Sequence, residues 1–324
     1  MNKKISISQL LNLRRLCQAA CLFAFFVFLF QSDRVTFYAK KGLLTWAISV
    51  LPVLLPFIIL SKFWIYYNIP TLFCSFCRRP FARHPSAAVS LPVLLLGLSS
   101  GFPIGAVFVK HFYENKILSK SASEELLPLC SFVSPMFLMG YIRPLLGWNT
   151  VLWGAFVFSL YTPLFCAYLF HLYQGRLRTA TPAFPGSQTE KRYRWIKEKM
   201  QRSSVREIWI SSMEIILTIG IYMMLFTILI GLFMDSPFPK GVLPMILLTN
   251  MEITTGLPVL AKEIILPDIL RKTLLCGCTS FGGCCTMAQV ASVLHGTDLL
   301  LWPYLRTKLL TASASALIFA VFCL

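Results

Sequence analysis

Glu252 is the residue with the most chemistry to explain. It lies in Thr249-Asn250-Met251-Glu252-Ile253-Thr254-Thr255-Gly256-Leu257-Pro258, inside an otherwise apolar run over 241–261. A carboxylate at bilayer depth costs roughly 2.5 kcal/mol or more, so by default it marks a functional site. Three threonine hydroxyls, the Asn250 amide and a glycine–proline break surround it. The stretch reads as the bend of a broken helix that binds something small. Irregular backbone at that depth persists only where protein buries it or it lines a wet cavity.

A second broken segment lies earlier. Residues 89–109 are long enough to cross a bilayer, yet their middle reads Gly97-Leu98-Ser99-Ser100-Gly101-Phe102-Pro103-Ile104-Gly105. Glycine and proline at that density break a helix, so a re-entrant hairpin is expected. Two further spans carry interruptions, Ser131 with Ser134-Pro135 and Cys278 to Gly283. Broken helices leave free N–H groups at half-helix N-termini, which favour anions, and free carbonyls at C-termini, which suit cations. The candidate substrate-binding residues are Ser99, Ser100, Gly101, Ser131, Ser134, Asn250, Thr254, Thr255, Gly256, Gly282, Gly283 and Gln289. Glu252 is the candidate for a coupling proton or sodium ion. Pro103 and Pro258 remove the helical donor of an upstream carbonyl. Glycine and serine in membrane helices are more commonly packing residues, and Gln289 could equally tie helices together.

The elements that must hold these residues are apolar. The chain has 324 residues, 56% of them hydrophobic and only 13% charged, with mean hydropathy +0.70. That composition fits a polytopic membrane protein and excludes a soluble globular domain. Expected spans cover 16–30, 42–60, 126–142, 151–173, 208–233, 273–294 and 303–323. The fold expected is an all-α polytopic membrane protein, with about seven transmembrane helices plus two re-entrant hairpins arranged as an inverted repeat. Its parts are an N-terminal anchor and loop (1–41), a first repeat (42–173), a basic linker (174–207) and a second, inverted repeat (208–324). Ser121-Ala122-Ser123-Glu124 reads as a weak capping box before the span at 126.

The net charge of +17 rests on 30 Lys and Arg. With the N-terminus in the cytoplasm and both hairpins re-entrant, most of these fall in segments assigned to the inside (1–15, 61–88, 110–125, 174–207, 295–308), as the positive-inside rule expects. The basic linker then faces anionic lipid. No nucleic-acid-binding pattern accompanies the charge, and no metal or cofactor is expected. Cys74 and Cys77 form a lone C-x-x-C, read as a reduced interfacial pair because no second pair follows at zinc spacing. His111, His171 and His295 sit at span ends, and His84 lies in a polar loop. No hydrolase, metalloprotease or phosphate-loop motif is present, so an enzyme is not expected.

Several of these motifs together resemble the sporulation integral membrane protein family of the YlbJ type, which carries the nucleoside-recognition or Gate domain. They are Ser99-Ser100-Gly101-Phe102-Pro103-Ile104-Gly105-Ala106 with Lys110, Glu252-Ile253-Thr254-Thr255-Gly256, Phe281-Gly282-Gly283, Ala288-Gln289-Val290-Ala291-Ser292 and Pro303-Tyr304-Leu305. The chain departs from that pattern at Cys130 to Pro135, at Thr255 and at Met287. The resemblance implies an architecture like that of concentrative nucleoside transporters. It implies a place in the cell membrane of a spore-forming bacterium, with the outer forespore membrane as one site. It also implies transport of a small anionic metabolite, with dipicolinic acid as the candidate. The alternatives are a carrier of nucleosides or other metabolites and a non-transporting sporulation scaffold.

Overall fold

The computed structural model describes residues 7–67, 69–78, 81, 85–177, 205–236, 241–264 and 266–324. Most of the basic linker (178–204) lies outside the described residues. So do Arg79, Arg83 and His84.

Every regular element described is helical. The first helix, α1 (Ile7–Phe30), is followed after Gln31 by α2 (Ser32–Thr45), a π-helical turn at Trp46–Val50 and α3 (Leu51–Tyr66). The last three form one continuous 35-residue run, which begins ten residues before the span expected at 42. The short α4 (Ile69–Arg78) lies between α3 and the first hairpin. That hairpin is α5 (Pro85–Ser100) and α6 (Ile104–Glu114), two arms packed side by side. Next comes a broken span, α7 (Lys120–Cys130), four non-helical residues, then α8 (Pro135–Phe137), a π-helical turn and α9 (Arg143–Leu146). The first half closes with α10 (Thr150–Tyr173).

The second half repeats the order. α11 (Val205–Met234) precedes a hairpin of α12 (Val242–Met251) and α13 (Ile253–Ala261). A broken span follows, α14 (Asp268–Phe281) and α15 (Gly283–Val293), and then α16 (Trp302–Cys323). Among the described residues, six helical runs are long and apolar enough to cross a bilayer. The expected seventh, residues 16–30, falls within α1.

The exposed face of these helices is greasy. On α11, Leu217, Ile221, Leu225 and Leu229 form a stripe at helical spacing, and all four are exposed. On its other face Ile216, Ile219, Gly220, Met223 and Thr227 are buried. A soluble helix exposes polar residues instead, so the surround that suits this face is lipid.

Two caps follow from simple chemistry. Ser119 Oγ accepts from Ala122 N at 3.2 Å and Asn149 Oδ1 from Leu152 N at 2.8 Å, as short polar side chains do at helix starts. The first corrects the expected box at 121–124. α7 begins two residues earlier because Ser119, in extended backbone, is positioned to cap while Ser121 is already helical.

Candidate functional site

The hairpins have their bases at opposite ends of the molecule. Ser211 and Glu214 of α11 share a pocket with Lys110 and Glu114 at the foot of the first hairpin. Ile230, Phe233, Met234 and Ser236 share another with Val242, Met245 and Glu263 at the foot of the second. Sixteen residues of helix separate Glu214 from Ile230, about 24 Å at 1.5 Å per residue, most of the thickness of a hydrocarbon core. Described parts of the basic segments 110–125, 174–207 and 295–308 meet at the first end. There Lys120 Nζ meets Asp298 at 3.0 Å, and Glu125 pairs with His171, Arg176 and Arg306 at 3.4, 3.3 and 3.6 Å.

The four backbone breaks converge between these ends. A cavity of about 30 Å³ is lined by Phe102 from the first hairpin tip and Ser134 from the first broken span. Glu252 and Thr254 from the second tip and Thr286 and Gln289 from the second broken span complete it. Phe102 N donates to Phe132 O at 3.2 Å, which ties the first tip to the neighbouring break. Tyr141 Oη donates to Thr254 O at 2.5 Å, which ties the first half to the second tip. Thirty cubic ångströms is room for about one water, so this arrangement is closed at its centre. A larger pocket of about 390 Å³ opens beside it toward the basic end. The two share Ile219 and Gln289, and the Phe102-Pro103 tip stands between them. Lys62, Lys110, His111, Glu114 and Glu214 give the larger pocket a mixed, strongly polar wall.

Glu252 explains how its break is held. It is the only extended residue between α12 and α13 (φ −150°, ψ 119°), and it is 2% exposed. Its Oε1 accepts from Thr254 N at 2.9 Å. Its Oε2 accepts from Thr254 Oγ1 at 2.7 Å and Thr255 N at 2.6 Å. The carboxylate therefore caps α13, filling the half-helix N-terminus where an anionic ligand was expected to sit. Gly256 and Pro258 were expected to form the break itself. They lie inside α13 instead. Gly256 is there for close approach, since a Cβ would stand 2.4 Å from Thr249 Cα on the facing arm.

The other candidates divide. Gly282 and Gly283 both take positive φ (86° and 88°) at the second break, a conformation that favours glycine. Gly283 also packs against Asn250 O and Ile253 of the second tip. Gln289 donates to Cys285 Sγ at 3.3 Å and faces both pockets. Ser134 Oγ caps α8 through Phe137 N. Ser131 Oγ is buried without a hydrogen-bond partner among the described residues. Asn250 donates to Ile246 O at 2.8 Å and reaches Cys278 Sγ at 3.4 Å, and Thr255 meets Thr227 at 3.0 Å. Gly101 packs against Phe132 O and Ser134. Two serines stand apart from the cavity: Ser99 is exposed and bonds Leu96 O of its own helix, and Ser100 pairs with Ser61 at 3.0 Å.

Over 322 aligned residues the chain is 26% identical to the sporulation integral membrane protein YlbJ of Bacillus subtilis strain 168. The match covers 89% of this chain and 78% of that protein. The chain resembles a YlbJ-type sporulation membrane protein. No family model matches it, and no solved structure matches it. The apolar helices and the YlbJ likeness together make it an integral membrane protein.

Sequence reasoning missed Lys308. It was counted with the basic residues at the membrane surface, but α16 begins at Trp302, and Lys308 is 1% exposed within that helix. Its Nζ lies 4.4 Å from the centre of the Phe132 ring. The signal was available: Lys308 is a cation two residues beyond Arg306, on another face of the same helix.

Proposed function

We propose that the protein is a carrier that moves a small, anionic metabolite across a cell membrane during endospore formation. One observation carries this reading. Two hairpins based at opposite ends of the molecule bring their tips, with both broken spans, to one small central cavity holding a buried carboxylate. Paired broken helices meeting near the midplane are how secondary transporters build a site that can be reached from one face at a time. The repeated element order supports an inverted repeat. The pocket toward the basic end, of ligand-binding size, is the way in from that side. By the positive-inside rule that side is the cytoplasm.

The YlbJ likeness supports sporulation as the setting, and the family resemblance makes dipicolinate the first substrate to try. In this scheme Glu252 carries the coupling proton or cation, because its charge change would loosen or set the cap on α13. The test is uptake of labelled dipicolinate by proteoliposomes, with and without a proton or sodium gradient. Gradient-driven accumulation is expected. Absence of flux for dipicolinate and for nucleosides alike would contradict the carrier reading. A scaffold would instead lose its role when residues 179–201 are deleted, whereas a carrier keeps its flux.

A further inference from the structure

We propose that Lys308, Ser131 and Tyr304 form the subsite that takes a carboxylate group of the transported molecule. This rests on the carrier reading and names which part of the site meets the anion. All three side chains are buried, at 1%, 0% and 2% exposure. Lys308 Nζ and Ser131 Oγ have no hydrogen-bond partner among the described residues, and Tyr304 Oη has only the Thr286 hydroxyl beside it. An unpaired ammonium inside a membrane protein is expensive and needs a counter-charge or a polar role.

The three residues lie close in the fold. The Lys308 ammonium stands over the ring of Phe132, the residue after Ser131, and 5.8 Å from the ring centre of Tyr304, one turn back on the same helix. Those ring faces partly compensate a cation but accept no strong hydrogen bond. The carbonyls nearby are already engaged: Phe132 O accepts from Phe102 N at 3.2 Å, and Val133 O from Tyr161 Oη at 2.8 Å. What remains is an ammonium and two hydroxyls, a set with net positive charge in which every group can donate. An ionised carboxylate is acceptor-only and complements it.

The position also fits. Tyr304 lies beside Thr286, which lines the central cavity with Glu252 and Gln289. The half-helix N-terminus that could otherwise hold an anion is occupied by the Glu252 carboxylate. Widening of the cavity past Thr286 would bring a substrate carboxylate to Lys308, with Glu252 on the far side.

The test is a thermal shift on the full-length protein in detergent, with dipicolinate and its neutral bis-amide as probes. Dipicolinate should raise the melting temperature of the wild type, and the bis-amide should not. Lys308→Met, close in shape and uncharged, should fold with an unchanged or higher melting temperature and need about tenfold or more dipicolinate for the same shift. Lys308→Arg should retain part of the response. A lower melting temperature for Lys308→Met with its dipicolinate response intact would make Lys308 structural and overturn the subsite. So would a wild type that responds to neither dipicolinate nor simpler carboxylates. Nucleoside flux without any carboxylate response would overturn the subsite and leave the carrier standing. Carboxylate binding without flux in vesicles would do the reverse.

Discussion

Tyr141 gives Thr254 the hydrogen bond that Pro258 cannot. In a regular helix the N–H of residue 258 would donate to the carbonyl of Thr254, four residues earlier. Proline has none, and the Tyr141 hydroxyl takes its place at 2.5 Å from another part of the chain. Tyr141→Phe should leave that carbonyl unpaired in a partly buried position and lower stability by about 1–3 kcal/mol. Pro258→Ala restores the helical donor, so Tyr141→Phe should cost much less in that background. A melting-temperature double-mutant cycle decides it. Costs that simply add would mean the two residues do not share this carbonyl.

Glu252→Gln should leave the protein in the membrane and abolish accumulation against a gradient. The amide offers one acceptor oxygen where the carboxylate meets three donors, from Thr254 N, Thr254 Oγ1 and Thr255 N. A cap loss of about 1 kcal/mol should accompany it. Glu252→Asp keeps the charge and should keep gradient-dependent uptake at a reduced rate. Normal accumulation by the Gln variant would remove Glu252 from coupling.

Some of this was legible in the sequence, and the reasons differ by residue. Gly101, Gly282 and Gly283 announced their breaks because their backbone takes positive φ there. Glu252 was legible as an acid out of place, but not as the hinge, because an extended glutamate carries no turn signature. Gly256 and Pro258 looked like the break, yet a proline within a short helix is tolerated once another group satisfies the freed carbonyl, and that group is 113 residues away. Ser99 and Ser100 sit in adjacent positions of one helix, and periodicity alone could not say which faced the centre. Lys308 fell inside the span expected at 303–323 yet was counted with the inside segment 295–308, because an apolar run does not say which face of a helix is buried.

At the basic end, the Asp298 carboxylate accepts from Tyr113 Oη at 2.5 Å and Lys120 Nζ at 3.0 Å. First the tyrosine and then the lysine hold its pKa below the ordinary aspartate value. A depressed carboxylate stabilises the fold above its unfolded pKa, and that contribution fades as the pH falls through the lower, folded value. The group is exposed, so the effect should be small and weaken with salt. Asp298→Asn should flatten the acid limb of the melting-temperature profile at low ionic strength. An unchanged acid limb would mean the clasp contributes nothing.

Lys110 joins the first hairpin to the second half, donating to Val293 O and His295 O at 2.9 Å each, where α15 ends. A cation suits those unpaired terminal carbonyls. Lys110→Met should lower the melting temperature by an amount matching about 1–2 kcal/mol, and Lys110→Arg should recover part of it. Equal stability of all three proteins would show that the contact is not formed in the membrane.

In the proposed carrier the two hairpins dip in from opposite faces of the membrane. Single cysteines at Glu114, at the foot of the first, and at Gly241, at the foot of the second, should be placed in a background without the native cysteines. They should then be exposed to a membrane-impermeant maleimide from one side at a time. Glu114→Cys should label only from the cytoplasm and Gly241→Cys only from outside. Labelling of both from the same side would contradict the account.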